Sequence, residues 1–380
     1  MSYKNKIDII TEKSFQKKPF YACDIAENNA EKNSKECISR EVIMSSNPVR
    51  VRIDLTNKCN LNCIFCYRRH FEIKNMKALI TPDDIELLSP VLNTAKYISL
   101  FRNSEPLISP HIIPILDKIS AFNSIVSLST NGQLLNNDVS WALVRNNITF
   151  ITISCCAFDD DHYRKLHGGG SYKTLLENIN LLNLIKKEYN KEIPRLRLSF
   201  MLRMDTIDYL DDALEFVKKY NFSEGIQVLL FYRAQEDDKH LEPIFNWDYC
   251  KPILDDFKEK ARKKNIMLDL SYEVPDNWRP LDTEGAVSLC YEPFETFTVT
   301  PNGDVVPCTV SGTLAGNIRF EDPLSIWNNY KYQEFRRRMK DKPLNKDCMG
   351  CWHCRYVSPL THGNKLVKAE TIFDNFYRKQ

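Results

Sequence analysis

Residues 51–69 read VRIDLTNKCNLNCIFCYRR, an apolar stretch that runs directly into three closely spaced cysteines. Cys59, Cys63 and Cys66 have the spacing C-x3-C-x2-C, and no fourth cysteine follows nearby. A closed structural zinc site takes four ligands, whereas catalytic metal sites keep a position open. Three thiolates in one loop would leave such a position, which favours chemistry over a purely structural role.

The composition is that of an ordinary globular protein. The chain has 380 residues, of which 43% are hydrophobic and 27% are charged, and its net charge is +2. This balance gives no sign of a nucleic-acid-binding surface, and the short basic run 336–338 lies in a helical pattern typical of a solvated face. We therefore expect no nucleic-acid partner.

The sequence also carries no membrane or export signal. No apolar run reaches the about 18–20 residues that a membrane span needs, and the polar first residues lack the apolar core of a signal peptide. These features predict a cytoplasmic protein without membrane contact. In a reducing compartment, thirteen cysteines favour metal binding or redox chemistry over a disulfide framework.

Short apolar runs recur along the first two thirds of the chain and alternate with helical patterns. The runs are 51–56, 97–101, 124–129, 150–154, 196–202 and 225–231. Continuous apolar strands that alternate with helices are typical of a parallel sheet with covered faces. Six such units predict an α/β fold, a partial (β/α)6 barrel of TIM-like type; a doubly wound open sheet is the alternative.

Polar and metal-binding residues follow five of these six runs. They are Cys59, Cys63 and Cys66, then Ser104 and Glu105, then Ser129 and Asn131, then Ser154 and Cys156, and finally Arg203. In a barrel of parallel strands, reactive residues gather where the strands end. The sequence therefore predicts one site at that end of the barrel.

The cysteine loop resembles the signature of radical S-adenosylmethionine (SAM) enzymes, including Phe65 just before the last cysteine. The resemblance implies a 4Fe–4S cluster on the three thiolates, with SAM on the remaining iron. It implies reductive cleavage of SAM to a 5′-deoxyadenosyl radical that abstracts a substrate hydrogen, and a flavodoxin- or ferredoxin-type reductant. A structural zinc half-site is the alternative for the triplet alone.

Further residues match positions that bind SAM in that family. Ser104-Glu105-Pro106 resembles a Gly-Gly-Glu-Pro segment, although Asn103-Ser104 replaces the two glycines. The resemblance implies SAM-contacting roles for the following residues: Phe65, Ser104, Glu105, Ser129, Asn131, Ser154 and Arg203. Cys156 stands where the family usually has an aspartate.

A second group of cysteines lies near the C-terminus. Residues 294–310 predict a β-hairpin that turns at Asn302-Gly303, and a helix is predicted at about 323–340. The spacing of Cys290, Gly303 and Cys308 resembles the opening of SPASM and twitch domains. This implies one auxiliary 4Fe–4S cluster, held by Cys290, Cys308, Cys348 and either Cys351 or Cys354. Two auxiliary clusters that recruit Cys250, or a zinc ion, are the alternatives.

These patterns divide the chain into four parts. Residues 1–47 form an N-terminal extension of unassigned role, 48–240 the barrel, 241–285 a linker with a helix, and 286–380 a small cysteine-rich domain of a hairpin and a helix. The extension is too short for a leader-peptide-binding module, which favours a small substrate over a peptide.

The resemblance leaves the reaction open. We expect a carbohydrate-like or aminocyclitol substrate that is dehydrogenated or epimerised, and a peptide maturase is the alternative. Epimerisation needs a thiol that returns a hydrogen atom, and Cys156 and Cys250 are the candidates for this role. A third possibility is an iron–sulfur or zinc scaffold without catalysis.

Overall fold

The computed structural model describes residues 24–66, 68, 77–101, 103–231, 240–270, 291–308 and 312–340. The strands are β1 (Arg50–Ile53), β2 (Tyr97–Ser99), β3 (Ile125–Thr130), β4 (Phe150–Ser154), β5 (Arg195–Leu202), β6 (Ile226–Leu230), β7 (Leu268–Leu270), β8 (Thr296–Val299), β9 (Asp304–Val306) and β10 (Gly316–Asn317). In this part of the chain they form one sheet in the order β10-β9-β8-β1-β2-β3-β4-β5-β6-β7.

Helices connect the strands. They are α1 (Asp24–Ser39), α2 (Pro82–Leu87), α3 (Ser89–Leu92), α4 (Ile112–Ile119), α5 (Asn137–Arg145), α6 (Asp160–Leu166), α7 (Tyr172–Glu188), α8 (Leu210–Lys219), α9 (Trp247–Lys263), α10 (Glu292–Glu295), α11 (Pro323–Trp327) and α12 (Tyr330–Lys340), with 3₁₀ turns at Pro106–Ile108, Ile207–Tyr209 and Pro243–Asn246. None of the described helices is long and apolar enough to cross a lipid bilayer.

The six predicted strand runs are confirmed as β1 to β6, which pair in parallel and in chain order. Strand β5 shows why the sequence folds this way. Leu196, Leu198, Phe200 and Leu202 are buried in the core, whereas the residues between them are partly exposed on the other face. Because side chains alternate along a strand, one face of the sheet packs under the helices and the other lines the barrel interior. The fold is the expected partial barrel.

The predicted hairpin is also confirmed, as strands β8 and β9 joined by a turn in which Gly303 has a φ of +82°. Strand β8 pairs in parallel with β1, with Phe297 opposite Val51. The hairpin therefore continues the barrel sheet at its β1 edge.

The helix expected at 323–340 is two helices. Asn328 ends α11 and turns its side chain to the N-terminal segment, where it accepts from Met44 N–H at 3.0 Å and donates to the Met44 carbonyl at 2.7 Å. The side chain of Asn329 then accepts from the Tyr332 N–H at 3.0 Å. An asparagine side chain that accepts such a bond starts a new helix.

Hydrogen bonds join the N-terminal segment that contains helix α1 to the C-terminal part of the described chain. Asn33 Nδ2 donates to the Phe294 carbonyl at 2.7 Å, and Trp327 Nε1 donates to the Ser46 carbonyl at 2.9 Å. Trp327 is buried, and its ring packs edge-on against Tyr332 with centroids 4.9 Å apart. Residues 24–47 thus brace the edge of the sheet where β8 joins β1.

Replacing Trp327 by alanine is expected to lower the free energy of unfolding by about 3–5 kcal/mol, because it leaves a large cavity and an unpaired Ser46 carbonyl. Denaturant unfolding of the anaerobic protein measures the change. Tyr330→Ala is the matched control in the same segment. Since Tyr330 is 75% exposed, its loss should change stability by no more than about 0.5 kcal/mol. Equal effects of the two variants would contradict this account.

Candidate functional site

The cysteine loop (residues 57–66) follows β1 and lies against the glycine turn (residues 166–170) between α6 and α7. Asn62 N–H donates to the Gly168 carbonyl at 3.3 Å, and Ile64 N–H donates to the Leu166 carbonyl at 3.0 Å. These two backbone hydrogen bonds fix the position of the loop at the carboxyl ends of the barrel strands.

Gly168 allows this close approach. Its φ is +56°, and a Cβ at this position would lie 2.0 Å from the backbone oxygen of Asn62. Only glycine adopts this conformation without strain and without a clash. Sequence reasoning did not single out Gly168, although three consecutive glycines at 168–170, in a chain with only eleven, were a visible signal.

The three thiols of the loop are half-buried and interact electrostatically. Burial, followed by the proximity of Cys66 and Cys59, raises the pKa of the Cys63 thiol to about 12. Burial also raises the pKa of Cys59. Without a positive centre these side chains stay protonated at neutral pH, whereas a coordinating metal deprotonates a thiol outright. The loop is therefore suited to a metal centre that supplies the missing positive charge.

Among the described residues, no three Cys, His, Asp or Glu side chains are grouped closely enough to hold one metal ion. A zinc ion, with Zn–S bonds of about 2.3 Å, would need such a close group. Cysteine thiolates are the usual ligands of iron–sulfur clusters, and three of them in one loop would leave one iron of a four-iron cluster without a protein ligand.

Glu105 joins the cysteine loop to the end of β3. Its N–H donates to the Lys58 carbonyl at 3.0 Å. Its buried carboxylate accepts from Thr130 Oγ1 at 2.7 Å, from Asn131 N–H at 2.8 Å and from Leu107 N–H at 3.1 Å. Both carboxylate oxygens are thus engaged within the protein, so the structure gives Glu105 a bracing position beside the loop.

Asn131 completes this connection. Its Nδ2 donates to Asn60 Oδ1 at 2.8 Å and lies 4.0 Å from Cys59 Sγ. Ser104 donates its hydroxyl to the buried carboxylate of Asp54 at the end of β1, a residue that the sequence analysis missed. Ser129 and Ser154 are partly exposed at the ends of β3 and β4. Of the predicted SAM-binding residues after β2 and β3, Glu105 and Asn131 therefore contact the cysteine loop directly.

Arg203 reaches the same loop from β5. Its guanidinium is buried, pairs with Asp205 at 2.7 Å, and lies 4.7 Å from the ring of Phe231 and 5.9 Å from the ring of Phe65. Phe65 is itself partly buried against the core. The structure thus places two predicted SAM-binding residues, Phe65 and Arg203, in one stack beside Cys66.

His167, which the sequence analysis missed, lies between the cysteine loop and the end of β4. Its Nδ1 is 3.8 Å from Cys63 Sγ and its Nε2 is 3.4 Å from Cys156 Sγ. Burial lowers the pKa of His167 to about 3, so the ring is neutral. Burial likewise raises the pKa of the Cys156 thiol well above its ordinary value. The Cys156 thiol is therefore protonated, and the His167 side chain lies between it and Cys63 of the cysteine loop.

The other candidate thiols are placed differently. Cys250 is buried on α9, with its Sγ 3.5 Å from Met204 Sδ. Cys308 is half-buried after β9 and packs against the core. Cys290, Cys348, Cys351 and Cys354 lie outside the described residues, so the auxiliary ligand set stays a prediction.

The buried carboxyl group of Glu105 predicts a pH effect on stability. Burial raises its pKa from about 4.5 to about 7, against the effect of its three hydrogen bonds. The folded protein therefore binds the Glu105 proton more tightly than the unfolded chain does. The resulting contribution to the free energy of unfolding is present at low pH and is lost as the pH rises from about 4.5 to about 7.

Glu105→Gln, which does not titrate, isolates this effect. The unfolding free energy of the wild type minus that of the variant should fall by about 2 kcal/mol between about pH 5.5 and pH 7.5. Denaturant unfolding of the anaerobic protein at both pH values measures it. A difference that stays constant or rises with pH would show that the folded pKa is not raised.

Family models recognise two parts of this chain. Residues 53–217 match the radical SAM superfamily, and residues 290–352 match SPASM, an iron–sulfur cluster-binding domain. The first match begins in β1 and includes the whole cysteine loop. The second covers the hairpin and the helices that follow it.

Curated relatives resemble the chain over much of its length. A probable GTP 3′,8-cyclase of Methanocaldococcus jannaschii is 26% identical over 269 residues, which cover 68% of this chain and 84% of the relative. An AdoMet-dependent heme synthase of Methanosarcina barkeri is 22% identical over 340 residues, covering 82% and 90%.

A solved structure supports the same fold. The crystal structure of Streptococcus suis SuiB bound to its precursor peptide SuiA superimposes with a TM-score of 0.61 at 15% identity, covering 93% of this chain and 83% of SuiB. The radical SAM match implies a 4Fe–4S cluster with SAM, and the SPASM match implies auxiliary iron–sulfur binding. This chain belongs to the radical SAM superfamily and carries a SPASM domain after its barrel.

Proposed function

We propose that this protein is a radical SAM enzyme that dehydrogenates or epimerises a small carbohydrate-like or aminocyclitol substrate. When bound, the cluster and SAM supply a 5′-deoxyadenosyl radical that abstracts a hydrogen atom. A flavodoxin- or ferredoxin-type protein is the proposed reductant. The observation that supports the substrate class is the polar, charge-balanced lining of the barrel interior.

The inner face of the sheet is the face turned away from the helices. Its polar residues include the buried Arg195 and the partly exposed Arg50, Arg52, Ser99, Ser127, Ser129, Thr152, Ser154, Arg197, Ser199 and Gln227. Ser99 and Ser127 share a hydrogen bond of 3.1 Å between their hydroxyls. Many small hydroxyl groups on adjacent strands offer donors and acceptors at short spacing, which suits a polyhydroxylated molecule.

The charges of the inner face are paired. Arg52 lies 3.2 Å from Glu292, and Arg197 lies 3.7 Å from Glu224 and 3.9 Å from Asp269. A site for a strongly anionic substrate would carry an excess of positive charge. The balance found here favours a substrate that is neutral or carries a single charge.

The relatives support a small substrate as well. Those named GTP 3′,8-cyclase act, by their name, on GTP, a small molecule, although its triphosphate is more anionic than the paired charges of this inner face favour. The peptide-bound neighbour SuiB shares only 15% of its residues with this chain and indicates a common fold. A peptide maturase is therefore the alternative that the experiment has to test.

Cys156 is the proposed hydrogen-atom donor if the reaction is an epimerisation. A donor must carry its hydrogen, and burial keeps this thiol protonated. The thiyl radical left after donation would return to the thiol by taking up one electron from the proposed reductant and one proton. It also lies at the end of β4, two residues after Ser154 of the inner face. If the substrate radical instead loses an electron to an auxiliary cluster, the product lacks two hydrogens and Cys156 is not required.

The substrate class is tested with anaerobic, reconstituted enzyme, SAM and dithionite. Aminocyclitols, free sugars and short peptides are compared for their ability to raise 5′-deoxyadenosine formation above the substrate-free rate. A rise with an aminocyclitol or sugar is expected, and a rise with peptides alone would overturn the proposal. Arg197→Met should weaken the substrate-dependent rate only, whereas the exposed control Lys187→Met should leave it unchanged.

The reaction type is read from the product formed in D₂O. Epimerisation through a thiol adds one solvent deuterium, because an S–H group exchanges with water, and Cys156→Ala should then abolish turnover. Dehydrogenation gives a product without added deuterium, and Cys156→Ala should retain turnover. A deuterated product that still forms in Cys156→Ala would exclude Cys156 as the donor.

A further inference from the structure

His167 contacts a cluster ligand on one side and the backbone of the barrel on the other. Its Nε2 lies 3.3 Å from the N–H of Cys156, and its Nδ1 lies 3.8 Å from Cys63 Sγ. The residue is 1% exposed, so water does not compete for either nitrogen. Both ring nitrogens of a neutral histidine are thus directed at defined protein atoms.

These contacts determine which nitrogen carries the proton. A backbone N–H can only donate, so Nε2 must accept and is unprotonated. A neutral imidazole then carries its proton on Nδ1. The Nδ1–H bond faces Cys63 Sγ, and a metal-bound thiolate can only accept. The donor and the acceptor therefore match.

The surrounding aromatic rings hold this orientation. The Tyr163 ring stacks on His167 with centroids 4.2 Å apart and an interplanar angle of 19°, and the Phe65 ring meets it edge-on at 5.4 Å and 89°. Gln133 Nε2 donates to the Tyr163 hydroxyl at 3.3 Å, which fixes the stacking partner. The imidazole is confined on both sides.

We propose that His167 is a positioning residue that donates a hydrogen bond from Nδ1 to the Cys63 thiolate and thereby raises the reduction potential of the cluster in the cysteine loop. Hydrogen bonds to ligand sulfurs set the potentials of iron–sulfur centres, because they withdraw electron density and favour the reduced state. The family membership of the chain carries this inference, and it is independent of the proposed substrate class.

The backbone N–H of Cys156 thereby has a role of its own. It donates to Nε2 and so selects the His167 tautomer that carries its proton on Nδ1. The end of β4 is therefore connected to the cysteine loop through the His167 ring.

The test is a redox titration of the anaerobic holoenzyme monitored by electron paramagnetic resonance. The signal that changes on addition of SAM identifies the cluster with an open iron. His167→Phe keeps a ring between Tyr163 and Phe65 but removes the donor. It should shift the one-electron reduction equilibrium about tenfold towards the oxidised cluster, which is about 59 mV. His167→Asn keeps an N–H group near the Nδ1 position and should lie closer to the wild type.

A wild-type potential in His167→Phe, at full iron content, would overturn the proposal. A second measurement decides the question in the wild type if His167→Phe fails to assemble its cluster. Protein labelled with ¹⁵N-histidine should show hyperfine coupling of one histidine nitrogen to the reduced, SAM-responsive cluster. The absence of any such coupling would overturn the proposal equally.

Discussion

Joint replacement of Cys59, Cys63 and Cys66 by alanine is expected to abolish SAM cleavage, with a loss of about a thousandfold or more. The three thiols form one ligand set, because they are half-buried and sit on a loop fixed by backbone hydrogen bonds to the glycine turn, and because Cys66 and Cys59 raise the pKa of Cys63. Without them the irons have no protein ligands. The amount of 5′-deoxyadenosine formed with dithionite measures the effect.

A thiol elsewhere in the described chain provides the control. Cys37 on α1 is buried and donates to Asn33 Oδ1 at 3.2 Å. Cys37→Ser keeps this hydrogen bond, so SAM cleavage should stay near the wild-type rate. If both variants lost activity together, the loss would reflect general thiol sensitivity of the fold, and the assignment of the cysteine loop would be contradicted.

The second large effect is expected from Gly168→Ala. A Cβ at this position would lie 2.0 Å from the Asn62 carbonyl oxygen, so the cysteine loop has to move. The left-handed backbone adds strain of about 1–2 kcal/mol, and overpacking costs a further 1–3 kcal/mol or so. Since Cys63 follows Asn62 directly, we expect iron content and SAM cleavage to fall at least about tenfold.

Gly169 supplies the matched control for this variant. Its φ is +99°, and a Cβ there would meet no atom within 4 Å. Gly169→Ala should therefore cost backbone strain alone and keep its iron. Iron and sulfide analysis after anaerobic reconstitution separates the two cases. Full cluster occupancy in Gly168→Ala would show that the loop tolerates displacement and that the close contact is unimportant.

The sequence predicts the barrel well because the evidence for it is local. Each strand is predicted by its own apolar run. Because the strands are parallel, the polar residues that follow β1 to β5 lie at one end of the barrel. Ser104, Asn131 and Arg203 were found in this way. The capping box that starts α2, in which Thr81 and Asp84 bond reciprocally, is likewise formed by residues close together in the sequence.

Features that depend on distant pairing were not predictable. The parallel pairing of β8 with β1 joins residues 246 positions apart, and no local pattern encodes it. A single histidine such as His167 looks like any core histidine in sequence. Its significance arises because the glycine turn crosses the cysteine loop, a crossing set by the Asn62 and Ile64 backbone bonds.

The bracing of α1 against Trp327 and Asn328 was invisible for the same reason. Residues 1–47 were expected to be an extension without an assigned role, since their periodicity is weak. In the described part, hydrogen bonds from Asn33, Trp327 and Asn328 tie this segment to the C-terminal helices. Hydrogen bonds from polar side chains to remote backbone groups produce no periodic pattern in a sequence.

The electron paramagnetic resonance spectrum of the anaerobically reduced protein, recorded with and without SAM, tests the central claim most directly. The claim is that the cysteine loop holds an iron–sulfur cluster with an iron open to SAM. In the wild type, we predict a cluster signal that changes when SAM is added, and in Cys59/Cys63/Cys66→Ala this signal should be missing. A wild-type spectrum that does not respond to SAM, with zinc bound in place of iron, would contradict the account.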